Sequence, residues 1–393
     1  METQSASTLP SPFAGLKVIE LADDAGGEYA GRLLAEMGAE VIKIEPPQGA
    51  PTRALGPWAG GVIGPDNSLN FWFYNSNKKS VVLDGLEGLA PLLADADIFI
   101  STLQPKALKA AGLDLDRLCR TYPKLIVLSV TAFGLTGPWA DYKSSDLVAL
   151  AAGGPLNSCG YDDHAIPPIR PGGNQGYHTA ASFAHIGAML ALIERQKTGL
   201  GQLIDVSMHE GLAVNVELAN PYWFYPKVNV QRQTCRHAQP SPTQPALFRC
   251  ADDRYVYYTL ILSEQRSWEM LVKWMDSKGL AAQLVEPEFA DIKYRQDNFY
   301  QVQEVVECFF LVHEAEQMYR EGQAVGLPIG ILNAPEDLFA DEHLNARGFF
   351  VDVAHEGVGT VKYPGASYRF SSMGEVARTR APKLGEHTAE VTG

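Results

Sequence analysis

Tyr177 and His178 stand side by side after a glycine-rich turn (Arg170-Pro171-Gly172-Gly173), and by type they are the pair best suited to chemistry. A phenol beside an imidazole could relay a proton, and a packed aromatic pair is the plainer structural use of the same residues. With a pKa near about 10, an unassisted phenol carries little phenolate at neutral pH. No Asp or Glu lies between Asp163 and Glu194, so the segment offers no carboxylate of its own. Asp162 and Asp163, just upstream, suit a solvated turn. His178 and His185 are seven residues apart and would share a helix face, a spacing open to a metal pair. On a helix of small residues such histidines more often meet backbone acceptors, and no metal is expected.

The five cysteines are scattered, odd in number and never spaced as CxxC, which favours free thiols in a reducing cytoplasm over disulfides or zinc. No GxGxxG follows the first candidate strand and no GxxxxGK[ST] occurs, so dinucleotide and P-loop sites lose their support. A net charge of −14 argues against a general binder of nucleic acid or membrane surfaces. It leaves room for an anionic small ligand held by a few local cations. The first residues lack a basic and apolar leader, and no apolar run of about 18 residues occurs, so a cytoplasmic protein is expected.

At 393 residues, 46% hydrophobic and 20% charged, the chain should form a globular protein of two domains. Residues 16–21 (LKVIEL) suit a buried strand, 28–37 a helix closed by Gly38, and 41–44 (VIKI) a second strand. That makes a right-handed βαβ unit. Residues 80–83, 98–100 and 125–130 repeat the pattern, giving an open α/β sheet whose ligands lie outside the carboxyl ends of its strands. The stretch 180–193 (ASFAHIGAMLALIE) is small and apolar on nearly every face, so a helix buried all round is expected, in a core or against another subunit. Residues 203–208 read as a returning strand that ends at His209-Glu210. Prolines amid aromatics mark 219–246 as an arm. Residues 247–250 and 255–260 read as a hairpin opening a second domain, and 347–368 as short strands and turns.

Seven stretches in order resemble the family III CoA-transferases: LKVIEL, GAEVIKIEPP, NSNKKSVVLD, AFGLTGPWADYKSSDLVALAAGG, ERQKTGLGQLIDVSM, GLPIGILNAPEDLFADEHLNARGFF and APKLGEHTAEV. The group includes the formyl-CoA and carnitine CoA-transferases, and the α-methylacyl-CoA racemases share its fold. The resemblance implies a Rossmann-like large domain formed by both chain ends, a small central α+β domain, and two subunits interlocked as a dimer. The boundaries that follow are 1–218 for the first part of the large domain, 219–246 for the arm, 247–325 for the small domain and 326–393 for the return to the large one.

Such an enzyme moves CoA between an acyl-CoA and a carboxylic acid through a mixed anhydride on an Asp, with backbone N–H groups at the oxyanion. The resemblance places Tyr177 where that Asp stands. CoA, as a thioester substrate, would meet Ala25, Leu83, Thr102, Leu103, Lys109 and Lys143. Relatives carry Asn-Phe-x-Pro at the turn where this chain has Thr102-Leu103-Gln104-Pro105, and a Lys-bearing loop after Asp84 is shortened. Lys and backbone donors can still hold the nucleotide phosphates. A racemase would need an acid–base pair on opposite faces of the α-carbon. Its His-Asp position holds Ser145-Asp146, with no His.

Three functions remain open on these residues. The first is a subunit that binds acyl-CoA and lacks the nucleophile, interlocked with an Asp-bearing homologue. The second is an active homodimer that uses Tyr177 or an acid from elsewhere. The third is a racemase or lyase-like relative, or an acyl-CoA-binding pseudoenzyme. The aromatic run Tyr222-Trp223-Phe224-Tyr225 hints at an apolar or aromatic acid.

Overall fold

A computed structural model describes residues 10–216, 219–260 and 264–393. The chain forms two compact units, one of Met1–Leu156, Arg170–Val216 and Glu342–Gly393, the other of Asn157–Ile169 and Glu217–Asp341.

The first unit is built on six parallel strands: β1 (Lys17–Leu21), β2 (Glu40–Glu45), β3 (Lys78–Val82), β4 (Ile98–Ser101), β5 (Ile126–Thr131) and β6 (Leu203–Ser207). Their spatial order is β3-β2-β1-β4-β5-β6, with Val18 opposite both Val41 and Ile98. This is the α/β fold with a large parallel sheet expected from the apolar runs. Eight helices belong to the same stretch: α1 (Ala25–Glu36), α2 (Leu69–Asn75), α3 (Leu89–Ala94), α4 (Pro105–Ala110), α5 (Leu115–Thr121), α6 (Asp146–Ala152), α7 (Gln175–Thr198) and α8 (Met208–Val214). The strands read as continuous apolar runs because both sheet faces are covered. Val18, Val41, Ile100 and Leu128 join one core with the alanines of α1 and α7. Their neighbours Ile19, Ile42, Phe99 and Val127 point the other way, into a core with Leu89, Leu93 and Leu115.

Charged residues inside these strands are paired beneath α1. Lys43 is fully buried, 3.2 Å from Glu20 and 2.9 Å from Glu28, and Lys78 reaches Glu20 at 2.7 Å. Helix and strand can close over Glu20 because residue 31 is glycine: a Cβ there would fall 1.8 Å from Glu20 Oε2.

One expectation changes, and that for α7 is met on one side. α7 buries Ala180, Ala181, Ala184, Ala188 and Ala191, yet Phe183, Ile186, Leu190 and Ile193 are between 38% and 63% exposed. Its alanines face the core with Met189 and Leu192 packed beside them, so the chain itself covers one side of the helix and only another subunit would cover the other. His209 and Glu210 do not end a strand. β6 stops at Ser207, whose hydroxyl accepts the Glu210 N–H at 3.2 Å and starts α8. The spacing Ser-x-x-Glu is the signature of a capping box.

In the second unit, residues 219–246 hold α9 (Ala219–Phe224) and the antiparallel pair β7 (Gln231–Gln233) and β8 (Arg236–Gln239). The expected hairpin forms as β9 (Leu247–Arg249) and β10 (Tyr255–Tyr258), joined on the far side by β11 (Ile329–Ile331). Helices α10 (Gln265–Ser277) and, after α11 (Ile292–Asp297), α12 (Phe299–Leu311) pack on it through Trp268, Trp274, Phe309 and Phe310, and α13 (Ala315–Ala324) through Ala315 and Met318.

The tail returns to the first unit as α14 (Glu342–Ala346), the hairpin β12 (Phe350–His355) and β13 (Gly359–Pro364), and α15 (Thr388–Thr392). The segment before α15 lies on the edge strand β3: His387 N–H donates to Ser80 O at 3.0 Å and Val82 N–H to Thr388 Oγ1 at 3.0 Å. Among the described residues no helix is long and apolar enough to cross a membrane.

Candidate active site

The strand order reverses between β1 and β4, and ligands of open α/β sheets bind outside the carboxyl ends there. Beyond β1 the chain runs through Asp23 and Asp24 into α1. Asp24 caps that helix, its Oδ1 accepting the Gly26 N–H at 2.9 Å and the Gly27 N–H at 3.1 Å. Burial pushes the Asp24 carboxyl up to about 7, with Asp23 and Glu28 adding to the rise against the two amides. Beyond β4, Thr102 Oγ1 donates to Asp23 Oδ1 at 2.5 Å and accepts the Asp23 N–H at 3.0 Å. A Cβ at Gly27 would fall 2.3 Å from Thr102 Cγ2, so glycine there lets α1 close onto the β4 turn.

Tyr177 meets this corner from α7. The residue before it, Gly176, donates its N–H to Asp146 Oδ1 at 2.7 Å. Asp146 opens α6 and is almost fully buried. Its other oxygen holds Arg170 through Nε at 2.9 Å and Nη2 at 2.8 Å. One carboxylate thus ties the Arg-Pro-Gly turn to the head of α7. Tyr177 then lies over Gly26, its Cδ1 3.2 Å from where a Cβ on that glycine would stand. Burial, then Asp24, Asp146 and Asp23, hold its phenol far above the usual tyrosine range, with Arg170 opposing.

His178 turns away from Tyr177. Its Nε2 lies 2.9 Å from Tyr74 Oη, which also accepts from Asn174 Nδ2 at 2.9 Å, and its ring packs 4.5 Å from that of Tyr29. Burial and then Arg32 hold its imidazole below the ordinary histidine range, keeping it neutral. A tyrosine partner replaces the backbone acceptor that the sequence suggests. His185 packs by Phe13, and its buried Nδ1 has no hydrogen-bond partner. Among the described residues no group of three or more His, Cys, Asp or Glu is arranged to hold a metal ion.

Of the residues that the resemblance assigns to CoA, Ala25, Thr102 and Leu103 come together at the β1/β4 corner. Leu83 follows β3, its N–H donating to Glu45 O at 3.0 Å. Lys143 follows Tyr142, whose carbonyl accepts from Gln104 Nε2 at 2.7 Å. Lys109 lines a cavity of about 460 Å³ together with Leu108, Leu113, Leu135 and Leu203. Asp162 and Asp163 belong to the second unit, where Asp162 pairs with Arg236 at 2.6 Å.

Sequence reasoning left out Asp24, which an Asp two residues before Gly-Gly could have signalled as a helix cap. It also missed Trp139 and Tyr142, exposed and stacked 6.2 Å apart beside Phe133. Asp146, weighed only as half of a racemase pair, has both oxygens committed to Arg170 and Gly176.

Residues 13–388 match CoA-transferase family III. The succinyl-CoA:(R)-benzylsuccinate CoA-transferase subunit BbsE of Thauera aromatica is 30% identical over 389 residues, covering 96% of this chain and 93% of its own. The succinyl-CoA–L-malate CoA-transferase alpha subunit of Chloroflexus aurantiacus is 30% identical over 400 residues, covering 100% of this chain and 90% of its own. A CAIB/BAIF family protein from Brucella suis has a crystal structure similar at TM-score 0.83 and 26% identity, over 97% of this chain and 98% of that one. The sheet, the corner built around it and the end-to-end match together place the protein: the chain belongs to CoA-transferase family III.

Proposed function

We propose that this chain is the supporting subunit of a heteromeric CoA-transferase, which moves CoA between an acyl-CoA and a small carboxylic acid while a homologous partner supplies the nucleophilic Asp. One observation carries this: the head of α7 bears a phenol held neutral by burial and three nearby carboxylates. A neutral phenol neither attacks a thioester readily nor forms a mixed anhydride. The names of the BbsE and L-malate alpha-subunit relatives, both subunits, support a division of labour. In this scheme Ala25, Leu83, Thr102, Leu103, Lys109 and Lys143 remain as CoA contacts, and the exposed apolar face of α7 meets the interlocked homologue.

The test is a CoA-exchange assay between an acyl-CoA and a labelled free acid. The purified chain alone should show no exchange. Activity should appear with an Asp-bearing homologue and persist in Tyr177→Phe. Exchange by the lone chain that is lost in Tyr177→Phe overturns the proposal.

A second reading, an active homodimer with a displaced acid, is favoured by the position of Asp24 against Tyr177. Lone-chain exchange that survives Tyr177→Phe and is lost in Asp24→Asn would select it.

A further inference from the structure

The two carboxyl oxygens of Asp24, at the carboxyl end of β1, are in different states. Oδ1 is fixed, accepting the Gly26 N–H at 2.9 Å and the Gly27 N–H at 3.1 Å. Oδ2 has no hydrogen-bond partner among the described residues, and on this half-buried side chain it is open to solvent. Two amides and the Tyr177 ring over Gly26 thus hold the carboxyl in place with one oxygen free.

The groups around that oxygen decide what it can do. Asp23 is adjacent and bonded to Thr102 of the β4 turn, Glu28 lies one turn along α1, and Tyr177 comes from α7. None of these is a cation. In this acidic setting the Asp24 carboxyl keeps its proton up to about 7. A carboxylic acid kept neutral donates a hydrogen bond, which an ionised one cannot do. The exposed carboxyl of Asp23 alongside disfavours an anionic acceptor, so an uncharged carbonyl oxygen suits the spot better than a free acid.

From this arrangement we infer that Asp24 is a further binding residue, whose Oδ2 donates to the thioester carbonyl of acyl-CoA. The assignment rests on the reading of the chain as a CoA-binding subunit: of the contacts expected there, Ala25 follows Asp24 and Thr102 is bonded to its neighbour. It gives the subunit a hold on the thioester without supplying a nucleophile.

The probes are acetyl-CoA and S-ethyl-CoA, in which a methylene replaces the carbonyl, titrated into the full chain by calorimetry at about pH 6 and about pH 8. At the lower pH acetyl-CoA should bind about fivefold more tightly, the worth of one hydrogen bond, and at the higher pH the two should bind alike. Both ligands carry the same phosphates, so the ratio cancels their titration. Asp24→Asn puts an amide donor in the same place and should keep the preference at both pH values. Asp24→Ser still caps α1 but is too short to reach the ligand, and should bind the two alike. Equal affinities in the wild type at pH 6, a preference unchanged at pH 8, or one that survives in Asp24→Ser would overturn the assignment and leave the subunit reading standing. Exchange by the lone chain would strike the subunit reading alone, since the affinity ratio is read without turnover. Binding of neither ligand would overturn both.

Discussion

The Asp24 carboxylate and the Tyr177 ring close on one spot: Oδ1 of the first and Cδ1 of the second each lie 3.2 Å from where a Cβ on Gly26 would stand. A side chain at residue 26 would have to displace one of them. The amide donors at the head of α1, which in many α/β proteins hold an anionic ligand, are here taken by a carboxylate of the chain itself.

Asp24 should impose a pH dependence on stability. Its folded carboxyl titrates near 7 against an ordinary value of 3.8. Between those values the folded protein keeps a proton that the unfolded chain has lost, so stability falls as pH rises through the window. Asp24→Asn keeps a good cap and removes the titration. Urea denaturation at a series of pH values should show the variant gaining on the wild type from about pH 4 to 7 and more stable above it. Parallel curves for the two proteins would refute this.

Asp146 should matter more to the fold of the site than Arg170. Asp146→Ala strands the Gly176 N–H and the guanidinium together, a loss of about 2–3 kcal/mol by denaturant unfolding. Arg170 has a side chain 44% exposed, and its removal leaves Asp146 still bonded to Gly176, so Arg170→Ala should cost less.

The cations on β2 and β3 give a sharper contrast. Lys43→Met would take the cation from buried Glu28 and leave Glu20 with Lys78 alone, at a cost of about 3–5 kcal/mol. Lys79→Met breaks pairs with Glu40 and Glu390 at a side chain 30% exposed and should cost under about 1 kcal/mol. Equal shifts in unfolding midpoint would contradict the burial argument.

Association should depend on the open face of α7. Ile186→Arg combined with Leu190→Arg places two charges on that exposed stripe, which should leave the subunit folded and abolish assembly in sedimentation experiments. A double variant that assembles normally would remove α7 from the interface.

Much of the sheet was legible because LKVIEL, VIKI and LIVLSV are continuous apolar runs, as strands covered on both faces must be. The same runs hid their charged members. Nothing local to Glu20 or Lys43 says that their partners are Glu28 and Lys78, which arrive from other elements. In α7 hydrophobicity alone did not say which side the chain itself covers: its alanines pack inward by close approach while Phe183, Ile186, Leu190 and Ile193 point out. At the candidate site, Tyr177 was legible as a departure from the family pattern. That its neighbours would be Asp24 and Gly26, about 150 residues earlier, depends on how α1 and α7 cross.

The bonds from His387 and Thr388 to β3 bear on how the protein is made. Strand β3 is an edge of the sheet, and its outward backbone groups at Ser80 and Val82 are met by His387 and Thr388. On the ribosome that edge therefore stays open until residues 387 and 388 have emerged, a row of unpaired amides ready to join any strand nearby. Deleting residues 382–393 would return the folded protein to that sticky intermediate, with aggregation as its mark rather than lost catalysis.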